Sequence, residues 1–393
     1  MDYSGQSRTN LIALCKSANM KGYSQKTKLQ LIEILNAKNT IVTSPLQSLK
    51  QEEPTTPDTL DYHLEKEKPY LKTFLEANKT LKGFKRVISS PLRYAGGKSK
   101  AIGIILDHLP ALKTKKIVSP FFGGGSFELA LSTHLGFEVI GYDVFGMLTN
   151  FWNQIITNPN ELAMALTPLK ASKADYTRNR HILLNYWEKI KPSDLHYETK
   201  NRLALTDAEK VLLDDSPLLQ AAYYYYNMQL SYGPMFLGWP SSVYMKEHTY
   251  KEIIQRVKAF KPGNVKVSSS SFENAIVNHP DDFLFLDPPY YLGEDSKMFK
   301  GMYPNCNFAI HHNSFNHKLL AELLKKHKGG FFVTYNDCPT IRELYADYKQ
   351  VFPSWKYTYG QGEKRIGKNR KTGTQNNVKE SHEIFIICPP SST

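Results

Sequence analysis

The sequence predicts an α/β chain: a mostly parallel sheet with helices on both faces, interrupted by a mainly helical insertion and preceded by a small helical module. Three observations lead there. Six short apolar runs end in turn residues, at Lys116–Pro120, Glu138–Asp143, Val265–Ser270, Phe283–Asp287, Gly330–Tyr335 and Glu383–Cys388, with helical stretches between several of them. Strands that alternate with helices build sheets buried on both sides. Residues 160–245 break that rhythm. They are rich in Tyr, Asn, Lys and Arg and carry the run Tyr223-Tyr224-Tyr225-Tyr226, which reads as helix packing. The length, 393 residues, divided by roughly 150 gives a prior of two to three domains.

In chain order, residues 1–40 read as two short helices. Leu11, Ile12 and Leu14, then Leu29, Leu31, Ile32 and Leu35, recur at helical spacing. Between them, Gly22 suits a helix stop and Ser24 a cap. Residues 1–50 hold seven basic side chains, among them Lys21, Lys26 and Lys28, against two acidic ones. Residues 41–86 form a linker and connector: Thr43, Ser44, Pro45, Pro54 and Pro57 supply too few apolar groups to pack, and a charge-balanced helical stretch follows. Residues 87–159 and 246–393 then supply the two halves of the sheet domain, with residues 160–245 inserted between them.

Composition excludes several classes. Apolar residues make up 41% and charged residues 22%, which is unlike disordered or collagen-like chains. No apolar run approaches the roughly 20 residues of a membrane helix. The start, MDYSGQSRTN, has no apolar signal core, which points to an intracellular protein: cytoplasmic, or at the nucleus or a viral replication site in a eukaryotic setting. Four scattered cysteines without a CxxC pair make neither a disulfide framework nor a zinc site. The spacing of His311, His312 and His317 suits no standard zinc site, so no metal is expected. A net charge of +13 favours a polyanionic partner.

Three segments carry chemistry. In Phe283-Leu284-Phe285-Leu286-Asp287-Pro288-Pro289-Tyr290 an apolar run ends in a carboxylate, two prolines and a ring. Ligands bind at the carboxyl ends of strands in open α/β sheets. Prolines lack N–H groups, so the carbonyls there are free to accept. Acid, carbonyl and ring together form a receptor for a planar amine. In Val118-Ser119-Pro120-Phe121-Phe122-Gly123-Gly124-Gly125-Ser126-Phe127 a strand enters a glycine turn and then a helix, without the GxGxxG spacing or a Walker lysine. About 20 residues on, Asp143 ends the next strand, where a carboxylate can accept from ribose hydroxyls. Glycine loop plus spaced acid indicates a nucleoside-containing cofactor. Ahead of both lies Pro91-Leu92-Arg93-Tyr94-Ala95-Gly96-Gly97-Lys98, which offers a ring, a close turn and a cation.

The order RYAGGK, PFFGGGSF, insertion, DPPY resembles the Dam-like (D12 class, alpha group) DNA adenine N6-methyltransferases over roughly residues 90–390. The His311-His312-Asn313-Ser314-Phe315 and Tyr335-Asn336-Asp337-Cys338 segments also resemble that family's. The resemblance implies a Rossmann-like methyltransferase fold, S-adenosylmethionine as methyl donor, and adenine N6 in double-stranded DNA as acceptor. Carried over residue by residue, Tyr94, Ala95, Gly97, Phe121, Gly123, Gly125, Ser126 and Phe127 would line the cofactor. Asp143 would hold its ribose, and Ser271 and Phe272 would flank its adenine. Asp287 and the Pro288 carbonyl would accept the N6 protons, with Pro289 completing the turn, Asp287 also bordering the cofactor, and Tyr290 stacking on the extruded base. Lys98, Tyr232, His311 and Asn313 would face DNA. The base-reading residues of GATC enzymes are not recognisable in the insertion, so the recognition sequence stays open.

The first 40 residues resemble SAP-type helix-extended-loop-helix modules that bind DNA, which most family members lack; a helical hairpin for protein contacts is the alternative. Lys364, Arg365, Lys368, Arg370 and Lys371 place five cations in eight residues flanked by glycines, a pattern suited to a phosphate clamp. Rival readings change the acceptor to cytosine N4, RNA or protein glutamine, or make the chain a non-catalytic DNA-binding regulator with a broken cofactor loop. The intact DPPY and glycine loop argue against the last. A restriction endonuclease partner, an orphan regulatory role and a phage or viral role are all compatible with the sequence, and oligomeric state is not encoded in any pattern found.

Overall fold

Runs of β-branched and aromatic residues make the strands, and glycine or proline at their ends stops them. The computed structural model describes residues 10, 27, 30–31, 71–80, 83–87, 90–190, 202–233, 236–293, 315–353, 356–357, 379–380 and 382–391. The chain divides into two units, Met1–Asp58 and Thr59–Thr393. In the first, the Thr27 amide donates to Gln30 Oε1 (3.1 Å) and the Gln30 amide to Thr27 Oγ1 (3.4 Å). This is a capping box at the entry to the helical turn of Gln30 and Leu31. The rest of the helical pair lies outside the described residues.

The second unit opens with a helix over 71–78 and an antiparallel ribbon of Lys79–Thr80 and Gly83–Phe84. Then follow α1 (Ile102–His108), β1 (Lys116–Ser119), α2 (Ser126–Leu135), β2 (Glu138–Asp143) and α3 (Gly146–Thr157). The insertion supplies α4 (Pro159–Leu166), α5 (Lys173–Ile190), α6 (Asp207–Val211) and α7 (Pro217–Leu230). The chain returns through α8 (Glu247–Lys258), β3 (Val265–Ser269), α9 (Phe272–Asn278), β4 (Leu284–Leu286), α10 (His317–Lys326), β5 (Phe331–Asn336), α11 (Pro339–Leu344), β6 (Lys349–Val351) and β7 (Glu383–Cys388).

The seven strands lie in the order β3-β2-β1-β4-β5-β7-β6. The first five are parallel, and β7 runs antiparallel to both β5 and β6. The fold class expected from the sequence is therefore the one observed. The chain winds outward from β1 to β3, then crosses back to place β4 on the other side of β1. That reversal opens a crevice at the carboxyl ends of β1 and β4, where open α/β sheets bind ligands.

β4, β5 and all of β7 but its last residue are buried throughout, as strands covered on both faces must be. The sheet separates two apolar clusters. One holds Phe127, Val139, Trp152 and Phe285; the other holds Val118, Leu284, Leu286, Tyr335 and Ile384. The insertion helices share the first cluster. Tyr224, Tyr225 and Tyr226 of α7 are fully buried there, and the Tyr225 ring lies parallel to that of Phe151 at 5.0 Å. The tyrosine run is packing, as the sequence reading holds. Among the described residues, no helix is long and apolar enough to cross a membrane.

Candidate active site

Two loops meet in the crevice. The first leaves β1 at Pro120 and turns through Phe121–Gly125 into α2. Gly125 has φ +59, and a Cβ there would come within 2.7 Å of the buried Phe122 ring. A Cβ on Gly124 would stand 2.6 Å from Tyr94 Cβ. Only glycine permits the left-handed turn and the close pass beneath Tyr94. Trp152 of α3 donates to the Gly123 carbonyl at 2.9 Å, and the Phe122 amide donates to the Tyr142 carbonyl at 2.8 Å. These bonds fix the loop from below.

Asp143, at the end of β2, ties into the same loop. Its Oδ2 accepts from the Gly123 amide and its Oδ1 from the Phe145 amide, both at 3.0 Å. Burial pushes its pKa up, and these main-chain donors pull against that rise. Each carboxylate oxygen keeps a second lone pair. Across the loop, Phe272 stacks on Phe121 with centroids 5.6 Å apart, and Phe315 closes on both at 5.1 and 5.6 Å. Ser271 caps α9 by accepting from the Asn274 amide. Of the residues that the resemblance assigns to the cofactor, Tyr94, Phe121, Gly123, Gly125, Asp143 and Phe272 come together around this loop, and Phe127 stands apart. Phe127 is 1% exposed and packs on Phe285 at 4.2 Å; it supports the floor of the crevice and does not line it.

The second loop leaves β4 at Asp287. The prolines end strand pairing at Leu286, one residue before the acid. Lys98, only 4% exposed, brings Nζ to 2.6 and 2.8 Å from the two oxygens of Asp287. The same nitrogen lies 5.0 Å from the Tyr290 ring centroid. Thr334 of β5 donates to Asp287 Oδ1 at 2.7 Å. The site expected to receive a planar amine therefore holds an ammonium group in this structure, and Lys98 is buried beside the acid instead of lying open to a phosphate. Asn336 clamps the next residue: its Oδ1 accepts from the Tyr291 amide at 2.8 Å and its Nδ2 donates to the Tyr291 carbonyl at 2.9 Å. Tyr290 is itself buried, and its hydroxyl donates to Glu383 of β7 at 2.5 Å.

One further acid was not singled out from sequence. Glu128, in the first turn of α2, is 3% exposed and accepts from Ser119 Oγ at 2.7 Å. Desolvation raises its pKa to about 7, with the negative charge of Asp287 adding to the rise and Lys98 opposing it. His317, read as no metal ligand, hydrogen-bonds Tyr335 at 2.7 Å, and burial lowers its pKa to about 4. Among the described residues no three metal-ligating side chains converge.

In the insertion, Tyr232 is 56% exposed and its amide donates to the Trp239 carbonyl. Trp239 is 73% exposed with the Arg180 guanidinium over its ring at 5.3 Å. Sequence reasoning had Tyr232 but not its exposed aromatic partner. His311, Asn313, Lys364, Arg365, Lys368, Arg370, Lys21, Lys26 and Lys28 lie outside the described residues.

A mostly parallel sheet with a glycine loop after β1, an acid at the end of β2, and an acid, prolines and a ring after β4 defines a Rossmann-like methyltransferase. The family model described as D12 class N6 adenine-specific DNA methyltransferase matches residues 94–359, more than half of the chain. The chain belongs to that family, whose members methylate adenine in DNA. A comparison with curated proteins found no match.

Proposed function

We propose that the protein methylates adenine N6 at specific sites in duplex DNA, taking the methyl group from S-adenosylmethionine and acting on a base extruded from the helix. The observation that carries this reading is the pair of acids beside the crevice: Asp143, at the end of β2 and tied to the glycine loop, and Asp287, which opens the loop after β4. The cofactor fits the first loop: Asp143 retains lone pairs for ribose hydroxyls, the close pass at Gly124 leaves the loop no side chain between it and Tyr94, and Phe121, Phe272 and Phe315 offer an aromatic wall. When bound, S-adenosylmethionine supplies an electrophilic methyl group.

The chain's residues do the rest. N6 is inaccessible to this chemistry inside the duplex, so the base must leave the stack. Asp287 and the Pro288 carbonyl accept the two N6 protons and draw the nitrogen toward tetrahedral geometry, which frees its lone pair. Tyr290 presents its ring to the base. Thr334 and Lys98 orient the Asp287 carboxylate, and the incoming amine competes with Lys98 for it. Asp287 need not be a strong base, because the N6 proton becomes acidic only as the methyl arrives. Most of the rate comes from positioning, which can supply about 7–11 kcal/mol of a barrier.

The full chain, incubated with S-adenosylmethionine and mixed-sequence duplex DNA and followed by modification-sensitive sequencing, tests the proposal. N6-methyladenine at one recurring sequence supports it. Methylcytosine, or methylation confined to RNA, overturns the acceptor.

A further inference from the structure

We propose that Glu383 is a positioning residue for methyl transfer: its buried carboxylate, on the last strand of the sheet, holds the Tyr290 hydroxyl and so sets the plane on which the target base stacks. This rests on the proposed function, in which Tyr290 meets that base.

The argument starts from an oddity in β7. Glu383 opens the run Glu-Ile-Phe-Ile-Ile-Cys and is only 3% exposed. A carboxyl group in such a place is costly unless partnered, so its presence is informative. Its partner is the Tyr290 hydroxyl, at 2.5 Å, on a residue that is itself only 7% exposed. The two are 93 residues apart in sequence. A tyrosine ring turns about two side-chain bonds near its root. A bond at the far end of the ring therefore controls its tilt more strongly than contacts near the root. The face of the same ring lies toward Lys98 Nζ, at 5.0 Å from the centroid, next to Asp287.

The strand register repeats the device on the next residue. Glu383 pairs directly with Asn336 across β7 and β5, and Asn336 holds both the amide and the carbonyl of Tyr291. One rung of the sheet thus holds two consecutive residues of the loop after the prolines. Pro288 and Pro289 have no amide to join the ladder, and these side-chain bonds reach the loop from the neighbouring strands.

The test uses the full chain with S-adenosylmethionine and a methylatable duplex. It measures single-turnover rate at saturation, cofactor affinity and thermal midpoint. Glu383→Ala should slow methyl transfer by about tenfold to a hundredfold, the scale of one buried hydrogen bond to a carboxyl group converted at tenfold per 1.36 kcal/mol, while cofactor affinity stays within about threefold, because the cofactor is held at Asp143 and the glycine loop. Glu383→Gln keeps an acceptor oxygen at the same reach and should recover most of the rate. In the Tyr290→Phe background, Glu383→Ala should cost little further, because the bond is already gone.

Rate loss that adds fully in the double variant would overturn the role, as would equal losses of rate and cofactor affinity in the Ala and Gln variants. Should Glu383→Ala not fold, Tyr290→Phe, which loses the same bond, still decides: an unchanged rate there overturns the role. A wild-type chain that methylates a different amine overturns the proposed acceptor, and the same cycle run on that acceptor still decides Glu383. A wild-type chain with no methyl-transfer activity overturns both.

Discussion

Asp143 and Asp287 both end a strand at the same crevice, yet they are held in opposite ways. Asp143 is fixed by main-chain amides, from Gly123 and Phe145. Asp287 is fixed by side chains, the Lys98 ammonium and the Thr334 hydroxyl. Main-chain donors cannot leave without unfolding the loop, so Asp143 is a permanent part of its shape. A lysine side chain can swing, so Asp287 can exchange one donor for another. The difference fits the proposed division of labour: a cofactor site with fixed form and an acceptor site that must trade an internal ammonium for an incoming amine.

Removing the exchangeable acid should have the largest effect. Asp287→Ala should abolish detectable methyl transfer while leaving cofactor affinity within a few fold, since the cofactor rests on the other acid. A positioned acceptor of this kind contributes at least roughly 2 kcal/mol. Turnover above about a thirtieth of wild type, the corresponding factor at 1.36 kcal/mol per decade, would break the comparison by showing that the acceptor role lies elsewhere.

Glu128 sharpens the comparison as a third acid, held by one hydroxyl and almost wholly buried. Its pKa in the folded chain is raised from 4.5 to about 7, mainly by desolvation. The folded state therefore holds a proton that the unfolded state releases across that window, and stability falls as pH rises from about 4.5 to about 7. The loss is roughly 3 kcal/mol at about 1.4 kcal/mol per unit. Glu128→Gln cannot ionise and keeps an acceptor for Ser119. It should raise the thermal midpoint at pH 8 and change it little at pH 4.5. Equal midpoint changes at both pH values would show that Glu128 titrates normally.

How far this was legible in the sequence follows from which contacts are local. The runs Glu138–Asp143 and Glu383–Cys388 form strands over the residues expected, and Phe283–Asp287 shortens to Leu284–Leu286 because prolines cannot continue the ladder. The stretch 351–357 does not form one strand. Lys349–Val351 joins the sheet edge, while Lys356–Tyr357 pairs with Lys379–Glu380 in a separate ribbon, with Pro353 between them. The edge strand escaped notice because it is short and half polar. At the site, DPPY and the glycine loop are contiguous and could be read directly. The partners Lys98, Thr334, Asn336 and Glu383 are brought in by the tertiary fold across as many as 189 residues, which no local pattern encodes. A signal was present all the same: Glu128, Thr334, Asn336 and Glu383 are polar residues inside apolar runs, and buried polar groups are where structure reports function.

A smaller effect is expected at Asp143, because two donors compete for what it offers. Asp143→Ala should weaken S-adenosylmethionine binding by about 1.5–3 kcal/mol, the value of hydrogen bonds to a charged acceptor, with turnover at cofactor saturation reduced much less. Asp143→Asn separates the two duties. Its single carbonyl oxygen can satisfy only one of the Gly123 and Phe145 amides well, and its amide group then faces the other, so it should bind cofactor no better than the alanine variant. A calorimetric titration reads both. An asparagine variant with near wild-type affinity would mean that the acid is needed neither for the loop nor for the ribose.

The smallest effect should come from the first unit, since every partner named for the two acids lies in the second. Both carboxylates and every partner named for them lie within Thr59–Thr393, whereas Met1–Asp58 forms its own unit. A second, weak DNA contact tethered to the catalytic unit raises the effective concentration of DNA at the active site without adding a catalytic contact. Deleting residues 1–58 should therefore raise the half-saturating DNA concentration several fold. Turnover at saturation, cofactor affinity and the methylated sequence should stay as they were. The measurement is a DNA titration of initial rate for the full and shortened chains, repeated at two salt concentrations, since a contact made through Lys21, Lys26 and Lys28 to phosphates weakens steeply as salt rises. A full-length advantage that does not shrink with salt would assign the unit to protein contacts. A changed methylation sequence would mean that it reads bases, and that specificity is divided between the two units.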